Sequence, residues 1–200
     1  ALFADRLRLP LDAALCRRVT GSSSLLVNPT LVCNLAIGQS TYASQRVMGN
    51  LFYRGLILKL PVFVGDSIGT PTRVVGLRQN RARQGRPASG MVALEITVNN
   101  QEGAEVMHFW RCPMIPCRDP DVVTGRDDPM DDLPEDLGLD DLAAAVPPWD
   151  LRYFASVAEG SHFDDLRSAD RFVVESRETV TSAPELARLT LNLAMTHRDE

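Results

Sequence analysis

The chain of 200 residues holds one lysine, Lys59, three histidines, and only 6% aromatic residues. It has no apolar run near the roughly 18 residues that a membrane-spanning helix requires, so a helical membrane protein is excluded. No basic stretch followed by an apolar run opens it, so export is not expected and the expected location is cytoplasmic. Its four cysteines, Cys16, Cys33, Cys112 and Cys117, form no C-x-x-C pair, and no histidine stands at zinc-ligand spacing beside them. Free buried thiols and no metal site are therefore expected. Cys33 lies in the apolar pattern of Leu31, Val32 and Leu35 and reads as core. All but one of the 21 basic residues are arginines, and they form no continuous stripe. No nucleic-acid partner and no membrane partner is expected.

What remains is the composition of a folded protein, 44% hydrophobic and 24% charged, of a length suited to one large domain or two small ones. The net charge of −5 is unevenly spread. Residues 119–150 carry eleven acids against one base, Arg126, which leaves the rest of the chain mildly basic. A mildly basic body suits an anionic small ligand. The paired aspartates of the acidic stretch lack calcium-loop spacing and read as a solvated linker.

Along the chain, residues 1–18 read as helical, interrupted at Pro10. Asn28-Pro29 is a helix start, with Asn as cap and Pro in the first turn. Thr30 to about Tyr42 then reads as a buried helix. Strands are expected over Leu51–Leu60, ended by Pro61, and over Ile68–Leu77. Val92, Leu94, Ile96 and Val98 share one face of a strand that returns through Glu105–Met114, so residues 91–115 form a long hairpin. His108 sits mid-strand and reads as a sheet-face histidine. The acidic stretch is irregular, with a short helix near Leu139–Ala145. A strand over Arg171–Val180 and a capping box at Ser182 and Glu185 then lead into a helix.

The segment Glu178-Thr179-Val180-Thr181-Ser182-Ala183, a short helix, and then Asn192, Ala194, Met195, His197 and Asp199 together resemble the opening of a MaoC-like enoyl-CoA hydratase domain. That family's motif is an Asp followed by Asn-Pro-x-His-x-Asp. The His and the trailing Asp are kept here, while the first Asp and the Asn-Pro are replaced. Gly49 to Tyr53, Pro61 to Ser67, Gly76-Leu77-Arg78-Gln79-Asn80, and Arg111 ahead of Arg118-Asp119-Pro120 resemble more specifically the double-hotdog mesaconyl-CoA hydratases, also called β-methylmalyl-CoA dehydratases. The resemblance implies an α+β double hotdog, each module an antiparallel sheet wrapped around a central helix, with the second module incomplete in this chain. The modules are expected at 1–118, without an opening strand, and at 161–200, joined by a linker over 119–160. The sequence is then expected to be part of a longer chain, or to be completed by another subunit.

The same resemblance implies a hydro-lyase acting on an acyl-CoA thioester, with no metal or redox cofactor, CoA being part of the substrate, and a homo-oligomeric state. His197 is the implied acid/base, its ordinary pKa of ~6.5 suiting that work near neutrality. Asn192 cannot be a base, but as a neutral amide it can orient water or hold a substrate carbonyl. The base is either His197 or a carboxylate beyond residue 200. Alternatives are a hydratase for itaconyl-CoA or a longer enoyl-CoA, a thioesterase, and a non-catalytic acyl-CoA-binding protein. The thioesterase is disfavoured because Thr30–Tyr42 carries no acid.

Overall fold

The computed structural model describes residues 7–131, 133–155, 160–173 and 183–195. Helix α1 (Arg8–Leu11) and helix α2 (Ala13–Thr20) are parted at Asp12, whose carboxylate accepts the Leu15 N–H at 2.9 Å and so caps α2. Helix α2 ends at Gly21, whose φ of 75° is the left-handed conformation that glycine adopts without strain. Helix α3 (Pro29–Ser40) begins where the sequence places it. The Asn28 side chain accepts the Thr30 N–H at 2.7 Å, and Pro29 sits where its missing N–H costs nothing. The helix stops at Ser40, earlier than expected, and tightens into a 3-10 turn over Thr41–Ser44.

Five antiparallel strands follow: β1 (Gly49–Leu58), β2 (Ile68–Gly69), β3 (Thr72–Gln79), β4 (Ser89–Asn100) and β5 (Glu105–Pro116). The order is β1-β5-β4-β2, with β3 also paired to β4. The single strand expected over Ile68–Leu77 is split in two. Pro71 has no N–H to give a ladder, and only its carbonyl is used, by the Thr97 N–H. The expected hairpin is present in the register Ile96↔Phe109, and is closed by Asn100, whose side chain accepts the N–H groups of Glu102 and Ala104.

Alternation decides which face meets the helix. Leu94, Ile96 and Val98 of β4, with Met107 and Phe109 of β5, pack against Val32 and Ala36 of α3. Burying each of the larger side chains contributes about 1.5–3 kcal/mol, and this holds the helix on the sheet. The opposite face carries Glu95, Thr97, His108 and Trp110. His108 Nε2 lies 3.3 Å from a Glu95 oxygen, Arg73 Nε donates to Glu95 at 2.8 Å, and the His108 ring meets Trp110 edge-on. His108 is thus a sheet-face residue, as read from sequence.

The acidic stretch is mostly irregular but is not adrift. Arg78 donates to the Asp128 carbonyl, Asp128 accepts the Leu77 N–H, and Gln79 binds Val122 and Thr124. Met130 is buried with Ala93 and Cys112 in a second, small core. Helices α4 (Leu139–Ala144), α5 (Leu151–Ala155) and α6 (Ala183–Leu189) follow, the first at the expected place. Of the strand expected over Arg171–Val180, residues 171–173 have no regular structure. The remainder, and the proposed cap Ser182, lie outside the described residues. Among the described residues no helix is long and apolar enough to cross a membrane.

Candidate active site

The motif begins where α6 ends. Leu191 takes φ 55°, the Asn192 N–H bonds the Ala187 carbonyl at 2.9 Å, and the Leu191 N–H bonds the Arg188 carbonyl at 3.3 Å. This is a Schellman closure with leucine at the position usually given to glycine, a left-handed conformation that costs an L side chain roughly 1–2 kcal/mol. The strain turns the chain sharply off the helix axis immediately before Asn192.

The loop that emerges docks on the far end of α3. The Leu193 N–H is accepted by the Thr41 hydroxyl at 2.7 Å, and the Met195 N–H by the Gln45 carbonyl at 2.9 Å. Thr190 and Ala194 are buried there. Gly38 completes the contact, since a Cβ at that position would lie 1.9 Å from the Thr190 carbonyl oxygen. Backbone touches backbone, and only glycine permits it.

Asn192 is half-buried, and its Oδ1 accepts the Ala194 N–H at 3.0 Å. That bond fixes the amide orientation, because only the oxygen can accept it. Its Nδ2–H groups meet no protein acceptor among the described residues and remain as donors. His197 and Asp199 lie outside the described residues. Met195, the last residue described, stands two positions before the histidine in the chain.

Beneath the docking surface lies a cation. Arg111 sits on the inward parity of β5 at 3% exposure, and its Nη2 donates to the Ser40 carbonyl at 2.9 Å and to the Ser44 hydroxyl at 2.7 Å. No carboxylate pairs with it among the described residues. The carbonyl end of α3, with its partial negative charge, takes that place. Burial lowers the Arg111 pKa, and the nearby Tyr53 opposes this. Burial also raises Cys33 and Tyr53, with Arg111 pulling Tyr53 back down. Thr41, Gln45 and Arg111 were not among the site residues read from sequence. The one available signal was a charge on the buried parity of a strand.

Two cavities lie elsewhere. One of about 270 Å³ is walled by Leu26, Leu58, Pro61, Val62, Trp149 and Phe154, and one of about 460 Å³ by residues that include Lys59 and Phe63. The first reaches Pro29, at the opposite end of α3 from Thr41, roughly 18 Å away at 1.5 Å per residue. Neither includes Asn192.

No family model matches the chain. It is 26% identical over 175 residues to the β-methylmalyl-CoA dehydratase of Chloroflexus aurantiacus, covering 86% of this chain and 48% of that protein. Among solved structures, RV0216 of Mycobacterium tuberculosis, which has a double hotdog fold, is 42% identical with a TM-score of 0.78, covering 99% of this chain and 60% of that one. A MaoC domain protein of Chloroflexus aurantiacus is 24% identical with a TM-score of 0.74, covering 99% and 56%. The chain thus spans about half to three-fifths of the length of these relatives. The chain is thus similar in sequence and fold to double-hotdog, MaoC-like proteins, and its partial coverage of them fits a second hotdog that is incomplete in this chain.

Proposed function

We propose that the chain is part of a hydro-lyase that adds water reversibly across the double bond of a short, branched enoyl-CoA such as mesaconyl-CoA. The observation that carries this reading is the docked loop Thr190–Met195, which leads into His197 in a chain similar to a β-methylmalyl-CoA dehydratase. In hydration, the water oxygen bonds to the β-carbon, the electron pair moves through the thioester as an enolate, and the α-carbon takes up a proton. Dehydration reverses each step. The protein must shift a proton to or from the water and stabilise the developing enolate oxygen. His197 is the group for the proton transfer, alone or with a carboxylate beyond residue 200. The Asn192 Nδ2–H groups are donors suited to the thioester oxygen or the water, since Oδ1 is already engaged by Ala194. CoA enters and leaves as part of the substrate, and the scheme uses no metal or redox cofactor.

One feature favours a second reading. Asn192 stands where the family motif has an acid, which fits a protein that binds acyl-CoA esters without converting them. Incubating the full-length protein with mesaconyl-CoA, and following loss of the enoyl-thioester absorbance, separates the two. Turnover that falls at least about 10²-fold in His197→Ala supports the hydratase. Full turnover in that variant overturns the assignment of the histidine. Release of free CoA indicates a thioesterase, and tight binding without conversion indicates the binding protein. Turnover of itaconyl-CoA or a longer enoyl-CoA in place of mesaconyl-CoA keeps the reaction and changes the substrate.

A further inference from the structure

We infer that Thr41, a residue of the first hotdog, is a positioning residue for the motif loop of the second. This rests on the hydratase reading and extends it to a side chain outside the motif.

Thr41 is 3% exposed and its hydroxyl faces two ways. The O–H donates to the Gly38 carbonyl in the last turn of α3, and the oxygen accepts the Leu193 N–H at 2.7 Å. A β-branched side chain that bonds its own i−3 carbonyl is held in one rotamer, so the lone pair offered to Leu193 has a fixed direction. The Leu193 amide is partly buried against this end of α3 and forms no other bond within the described chain. Its neighbours are pinned on either side: Thr190 against Gly38, and Met195 to the Gln45 carbonyl. The Thr41 contact is the central one of the three, and the only one made by a side chain. Asn192 immediately precedes the bonded amide, so the direction of its free amide donors is set by this anchor. The Ser40 carbonyl and Ser44 hydroxyl on either side of Thr41 are themselves held by Arg111 from the sheet, which makes the platform stiff.

Misplacing a reacting group by about 1 Å costs on the order of 10²-fold in rate. Removing the Thr41 hydroxyl without changing its shape is therefore expected to lower kcat by about that factor with KM nearly unchanged, beside a modest fall in melting temperature from the two bonds lost. The experiment compares Thr41→Val, Thr41→Ser and His197→Ala in the full-length protein. Turnover of mesaconyl-CoA is read alongside amide hydrogen exchange at Leu193. The expected result is low kcat and fast Leu193 exchange in Thr41→Val, with both restored in Thr41→Ser. Unchanged Leu193 exchange in Thr41→Val overturns the inference whatever the turnover. So does a kcat within twofold of wild type, and so does failure of serine to restore it. An inactive His197→Ala beside a fully active Thr41→Val removes only the role of Thr41. A fully active His197→Ala removes the hydratase reading and this inference with it.

Discussion

The Thr190 carbonyl oxygen occupies the space that any side chain at Gly38 would need, 1.9 Å from where its Cβ would stand. This reverses an ordinary rule. Alanine in place of a mid-helix glycine normally stabilises by about 1 kcal/mol. Here the obstacle is backbone, which cannot rotate away. Gly38→Ala should push the loop off α3 and weaken its bonds to Thr41 and Gln45, a loss of about 1–3 kcal/mol with a fall in turnover. Thermal melting reads the sign, and a rise in melting temperature would show that the contact is not tight.

Leu191 predicts a change of the opposite sign. It is 59% exposed, so truncation forfeits little packing, yet it holds a left-handed φ of 55°. Leu191→Gly relieves strain of roughly 1–2 kcal/mol and gives back part of that as unfolded-chain entropy. A net gain of about 0.5–1 kcal/mol in urea denaturation is expected. If leucine packs on a part of the chain that the glycine cannot replace, the variant will be less stable instead.

Arg111 sets two effects against each other. Arg111→Met removes a buried charge with an unpartnered Nε, which is favourable, but strips the Ser40 carbonyl and Ser44 hydroxyl of their donor. The carbonyl end of α3 already offsets much of the charge, so little desolvation is recovered by removing it. The lost bonds should win, lowering stability by about 1–2 kcal/mol with an unchanged urea m-value. A gain in stability would mean that burial of the guanidinium dominates.

Local and periodic features were open to sequence reading, and contacts between distant backbone groups were not. Asn28-Pro29 announces α3 because cap and first turn are adjacent residues, and the β4–β5 hairpin follows from strict alternation around a Gly103 turn. The small residue Gly38 was visible, but not the carbonyl 152 positions on that makes it necessary. Leu193 and Met195 dock through N–H groups that every residue other than proline possesses, so no pattern of side chains marks them. Pro71 could have divided the Ile68–Leu77 strand at the outset, since it cannot donate to a ladder. Thr41 appeared only as the tail of an apolar helix, because a hydroxyl that also accepts the distant Leu193 N–H has the same sequence signature as one that bonds only its own helix.

One buried thiol, Cys112, and two partly covered groups, the Cys33 thiol and the Tyr53 phenol, make stability depend on alkaline pH. Burial raises Cys33 and Cys112 above the ordinary thiol value of 9.0, and raises Tyr53 above 10.0. The unfolded chain then releases these protons at lower pH than the folded one does. The stability they contribute is complete below the unfolded values and is lost as pH climbs through the folded ones. Each group steepens the loss by about 1.36 kcal/mol per pH unit inside its own window, which opens near pH ~8.5 for a thiol. Arg111, lowered by burial, acts in the opposite direction, but only near its own much higher titration range. Stability measured by urea at pH 7.5 and at pH 10 should therefore fall for the wild type. It should fall less for the Cys33→Ala, Cys112→Ala double variant. An identical decline in both proteins would mean that the thiols ionise as freely folded as unfolded, and that the burial which raises them is not present in solution.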